Sequence, residues 1–130
     1  MRWRATKKGR SFSGTHDGDC LSCILRRVAV DQAGLWEQES KSDVYLVDAF
    51  EELPTLPRAT VTEIADYVRF CREIRELSAA QVLERMPDFS LYCEGCVPEK
   101  LIATYQRHAD EVLSTFHRRA GQFDTLFFGR

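Results

Sequence analysis

Two short motifs constrain this chain more than any other feature: "CLSC" at 20–23 and "CEGC" at 93–96. Two residues between cysteines let both sulfurs reach one metal ion, and two such pairs complete a tetrahedral set of thiolates. The long intervening stretch is no obstacle, because loop-closure entropy grows only as the logarithm of length. The sequence therefore predicts a structural zinc site formed by Cys20, Cys23, Cys93 and Cys96. A closed four-thiolate site has no open position for water or substrate, so it stabilises rather than catalyses. An iron–sulfur cluster would use the same four sulfurs and is the less expected occupant. His16 is a candidate to replace one sulfur, although a solvated loop histidine is its commoner role.

Other uses of the cysteines remain open. A thiol–disulfide site at Cys20 and Cys23 would draw on the amide hydrogens of a helix start, which favour thiolate. The βαβ pattern of thioredoxin-like proteins is missing around it. An odd count of five cysteines without a secretory pattern argues against a disulfide framework. The fifth, Cys71, falls on an apolar helical stripe and reads as core.

Helical periodicity dominates the rest. Leu21, Ile24, Leu25 and Val28 recur at the spacing of one helix face, with Asp17 or Asp19 as cap and Gly34 as stop. "LWEQESKSD" reads as a polar connection. "VYLVDAFEEL" at 44–53 suits strand at its start and helix over its length, and helix is favoured, with Asp43 as cap. "PTLPR" breaks regular structure. Thr60 and Glu63 have capping-box spacing ahead of an inward stripe of Val61, Ile64, Val68, Cys71 and Ile74. Ser78 and Gln81 repeat that spacing before a short helix that Pro87 ends. "DFSLYCEGC" reads as a turn-like loop, and Pro98 suits the first position of a last helix reaching Arg119. Leu101, Ile102, Tyr105, Val112, Leu113 and Phe116 form its apolar face, and Gly121 closes it. The expected fold is all-α, a small irregular bundle of four to five helices stapled by the zinc site.

The domain reading is a flexible basic arm at 1–18 and a single helical domain at 19–130. Residues 1–15 carry Arg2, Arg4, Lys7, Lys8 and Arg10 and no acid, whereas residues 16–66 are strongly acidic. With a sequence pI near 5.9 the chain as a whole is not built to coat nucleic acid. Arg2, Trp3, Arg4, Lys7, Lys8 and Arg10 are still a candidate contact for nucleic acid or a partner, through phosphate pairing and base stacking.

Catalytic signatures are missing. There is no phosphate-binding glycine loop, nucleophile elbow, H-E-x-x-H or dinucleotide fingerprint. Glu51–Glu52 and Asp110–Glu111 are adjacent acids that diverge on a helix and read as solvated. His108 reads as a hydrogen-bonded histidine at the core edge, and His117 as exposed near a helix end. No apolar run reaches membrane-spanning length. The expectation is a non-enzymatic, zinc-stabilised helical module that binds a protein partner or joins a larger assembly. It would be intracellular, with no compartment distinguished and no small-molecule substrate implied. A nucleic-acid-associated regulator and a CxxC redox protein are the alternatives.

Overall fold

The computed structural model describes residues 3–7, 10–14, 16–42, 44–91 and 97–121; for 3–7 and 10–14 it describes the backbone alone. It is mostly helical. A hairpin of β1 (Trp3–Lys7) and β2 (Arg10–Gly14) leads into α1 (Leu21–Gln32), α2 (Trp36–Ser42) and α3 (Ala49–Glu52). A single 3-10 turn at Leu53–Thr55 precedes α4 (Arg58–Glu76), α5 (Ala79–Arg85), α6 (Asp88–Leu91) and α7 (Pro98–Arg119).

α7 is the hub. α4 makes the most extensive packing against it, and α1, α3, α5 and α6 each add a contact. Its buried face is Ile102, Ala109, Val112, Leu113, Thr115 and Phe116. The α4 stripe is buried at Ile64, Val68, Cys71 and Ile74, and Ile24 and Val28 of α1 join the same core. Gln106 of α7 donates to the carbonyls of Ile74 and Leu77, at 3.1 and 2.7 Å. Those carbonyls end α4 without helical partners, so one amide satisfies both and fixes the α4–α7 register.

Two polar groups on the buried side of α1, one turn apart, fasten it. Arg27 is buried, and its guanidinium donates to Asp48 Oδ1 at 2.7 Å. The same oxygen accepts the amides of Phe50 and Glu51 and caps α3. The rings of Trp36, Tyr45 and Phe50 surround the guanidinium, Trp36 nearest at 4.0 Å. Asp31, at the other end, accepts from Thr115 Oγ1 (2.8 Å), from Arg119 Nε (2.9 Å) and from Arg118. Burial pushes the Asp31 carboxyl up, but hydrogen bonds from Arg118, Thr115 and Arg119, with the Arg118 charge, outweigh it and hold its pKa below the ordinary value.

Several local expectations hold. α1 stops at Gly34, whose φ of 75° is left-handed. Gly34 donates to Asp31 O and Leu35 to Val30 O, the double bond of a Schellman motif. The Ser78–Gln81 capping box is formed in both directions. Pro98 opens α7, and Cys71 is fully buried.

Others are corrected. Cys20, not an aspartate, caps α1: its Sγ accepts the Cys23 amide at 3.3 Å. α4 begins at Arg58 behind Pro57, two residues before Thr60, so Thr60 and Glu63 lie inside the helix and form no capping box. The "LWEQESKSD" connection contains the helix α2, which has no buried residue and hence no apolar period to reveal it. Residues 44–53 are helical only from Ala49; Tyr45 instead forms an isolated parallel bridge with His16. Asp48 caps α3, and Asp43 lies outside the described residues. α6 adds one helical turn within "DFSL". α7 closes at Ala120, whose amide bonds Phe116 O, while Gly121 keeps an ordinary φ. The helices number seven among the described residues because three short ones carry little periodic signal. The 1–18 segment, which showed no period, contains the β1–β2 hairpin.

Asp48→Ala is expected to cost about 3 kcal/mol, since it strands a buried guanidinium and uncaps α3. Asp48→Asn, which keeps a capping oxygen, should cost less; urea unfolding measures both. For Asp31 the folded pKa lies below the unfolded one. Its contribution is therefore full above the unfolded value of about 3.9 and is lost as pH falls through the folded value. Removing it by Asp31→Asn should cost about 2–3 kcal/mol at neutral pH and much less at pH 2. Unfolding curves at the two pH values check this.

Candidate functional site

Cys20 and Cys23 converge at the start of α1. Their sulfurs are 2.7 Å apart, with Cys20 exposed and Cys23 buried, both free thiols. The approach to the helix sets this geometry. Leu46 donates to His16 O and Val47 to Asp17 O, at 3.1 and 2.9 Å, so residues 16–17 run alongside 46–47 like a short parallel pair. The His16 ring lies against Tyr45, centroids 5.5 Å apart. Gly18 then turns the chain at φ 97°, and a Cβ there would sit 1.9 Å from Val47 O. No other residue fits that approach.

The two thiols differ chemically. Burial, then the hydrogen bond to Cys20, pushes the Cys23 thiol up to about 11, against a lowering hydrogen bond from the Gly18 backbone. Cys71, deeper still, is pushed to about 11 by burial, opposed by a hydrogen bond with Tyr67. Among the described residues no three His, Cys, Asp or Glu side chains stand close enough to hold a metal ion. Cys93 and Cys96 lie outside the described residues, as does the aromatic tail 122–130. Of the basic candidates, Trp3, Arg4, Lys7 and Arg10 fall on the hairpin strands, and Arg2 and Lys8 lie outside the described residues.

A second polar cluster lies between α4 and α7. Tyr67 Oη and His108 Nε2 are 2.6 Å apart. Burial, with the neighbouring Cys71, raises the Tyr67 hydroxyl to about 12, so it stays protonated; the direction of its hydrogen bond with the imidazole follows the His108 tautomer. His108 is the hydrogen-bonded core-edge residue its position implied. His117 is exposed, and so are Glu51 and Asp110. With Cys71 sealed and Tyr67 protonated, this cluster offers no exposed nucleophile.

Sequence reasoning missed the clamp on residues 16–18 and the Arg27 and Asp31 anchors. Arg27 and Asp31 stand four apart with opposite charges, a spacing that ordinarily marks a solvated helix pair. No helix among the described residues is long and apolar enough to cross a membrane. Comparison of the chain with protein-family models, curated proteins and solved structures found no match.

In metal-free protein Cys20 should alkylate far faster at pH 7 than Cys23 or Cys71, whose raised pKa and burial suppress thiolate. Peptide mapping after timed iodoacetamide treatment reads the order directly.

Proposed function

We propose that this chain is a zinc-stabilised helical interaction module, with Cys20, Cys23, Cys93 and Cys96 as the structural metal site. The observation that carries the reading is the convergence of the Cys20 and Cys23 sulfurs at the start of α1, on a backbone clamped by Gly18 and residues 46–47. Thiolates on one zinc ion stand about 3.7 Å apart, given Zn–S near 2.3 Å and tetrahedral angles. Opening the pair by about 1 Å, through rotation of the exposed Cys20 side chain, meets that need. Positive helix-end amides favour the anionic sulfurs that zinc requires, and metal binding would deprotonate Cys23 despite its raised pKa.

Support for an interaction role comes from the surface beside the second pair. Leu91 and Val97 immediately flank residues 92–96 and are 77% and 49% exposed. Tyr105 of α7 is also exposed and stands edge-on to Phe89 at 5.2 Å. Exposed apolar groups of this size at a metal-tied end are suited to covering by a partner.

One observation favours a second reading at the same residues. An exposed thiol beside a buried one of raised pKa is the asymmetry of a dithiol that attacks with its outer sulfur. Cys20 thiolate would open a partner's disulfide, and Cys23 would then displace the partner's second thiol, so that two electrons pass to the partner.

Metal content of the full chain, purified without added metal or chelator, separates the readings. One zinc per chain, lost in both Cys20→Ser and Cys93→Ser with a fall in melting temperature, is the expected result. Metal-free protein with a rapidly alkylated Cys20, and no effect of Cys93→Ser, would overturn the zinc module and leave the dithiol.

A further inference from the structure

We propose that the outer edge of β1 docks an extended, acidic segment of a protein partner, which adds to the hairpin as a third strand. The proposal is independent of the metal site. It rests on the backbone pairing of β1 and β2 and on the charge of that stretch of sequence.

β1 and β2 form a sheet of two strands, paired antiparallel from Trp3 opposite Gly14 to Lys7 opposite Arg10. In such a pair every second residue of a strand directs its N–H and C=O away from the partner strand. β1 therefore presents a row of backbone donors and acceptors along its outer side. Among the described residues no strand pairs with it there. β2 differs. The chain runs on from its end to residues 16–17, whose carbonyls accept from Leu46 and Val47. The β2 side of the hairpin is thus tied to the helical body just past its end, and β1 is the strand left at an edge.

A two-stranded hairpin is marginal in water unless a further strand or a helix supports it. Among the described residues neither strand packs broadly on a helix. Addition of one strand meets both needs, because it pairs the edge and widens the sheet.

Charge selects the strand. Residues 1–15 contain Arg2, Arg4, Lys7, Lys8 and Arg10 and no acid. A strand laid along β1 runs about 5 Å from it, a distance at which charges of opposite sign attract appreciably. Like charge rejects a second copy of the same hairpin, which is one way sheets keep their edges from joining. The chain's own acids do not supply the strand. Residues 16–66 hold eleven of them, but α1 to α4 take up most of that stretch. Nucleic acid has the right sign, yet its phosphates only accept hydrogen bonds and cannot complete a ladder that alternates donors with acceptors. A peptide strand rich in Asp or Glu fits both the edge and its charge.

The test is fluorescence anisotropy of a short labelled peptide of alternating Glu and Val, titrated with the full chain, beside amide hydrogen exchange of residues 3–7 read by NMR. In the free chain alternate amides of β1 should exchange fast, and bound peptide should slow them at least tenfold. The same peptide N-methylated at two adjacent central amides loses ladder donors on both of its edges and should bind at least tenfold more weakly. So should a peptide with Lys in place of each Glu. Arg4→Gln with Lys7→Gln should weaken binding and flatten its salt dependence, with the cross-strand amides still protected. Undiminished binding of the N-methylated peptide would overturn the proposal, since no ladder would then be made. So would slow exchange of every β1 amide in the free chain, which would show the edge already covered by another segment or a second copy. Tighter binding of oligothymidylate than of the acidic peptide would overturn it as well.

Discussion

The structure depends on a cation in a place where cations rarely sit. Arg27 is almost fully removed from water, and burying a guanidinium is costly unless its charge and donors are met. Asp48 meets the charge, and three aromatic rings meet the faces of the ion. Because Asp48 also caps α3, satisfying Arg27 fixes where α3 begins. Because Trp36 opens α2 and Tyr45 lies in the bridge with His16, the same ion fixes α2 and the approach to the cysteines. One buried charge thus ties four consecutive segments together.

The remaining helices follow a simpler rule. α4 and α7 are long and periodic, and their apolar stripes meet. α5 and α6 pack on the same hub, as expected for short helices that cannot persist alone. Polar fittings then set register: Gln106 on the end of α4, Asp31 against the last turns of α7. Among the described residues no buried side-chain nitrogen or oxygen lacks a hydrogen-bond partner. A core this small tolerates charged anchors because each is paired in this way.

These two modes of construction explain what could be read in advance. α1, α4, α5 and α7 were legible, because each buries a stripe at helical spacing and three carry a terminal signature in Gly34, Ser78 or Pro98. α2 was not, because its seven residues bury nothing and it is held through Trp36 at its edge. The aspartate caps expected for α1 gave way to Cys20 because Gly18 turns the chain and delivers the sulfur to the Cys23 amide. Half of the candidate site was legible from spacing alone: the CxxC motif places two sulfurs together in any helix start. The exposed–buried asymmetry of those sulfurs was not, since it depends on how the start of α1 packs in the fold. The hairpin escaped notice because its strands are short and rich in serine and threonine, with apolar residues too few to show alternation.

The Asp31 anchor has a consequence for how the chain is made. Its partners Thr115, Arg118 and Arg119 lie 84 to 88 positions downstream. α1 leaves the ribosome well before the turns of α7 on which it docks. α4 meets its own partner α7 over a much shorter stretch of chain, so that pair can close while α1 still waits. α1 is therefore translated before α4 but fastened after it. A chain shortened within the final turns of α7 would release the opposite end of the molecule.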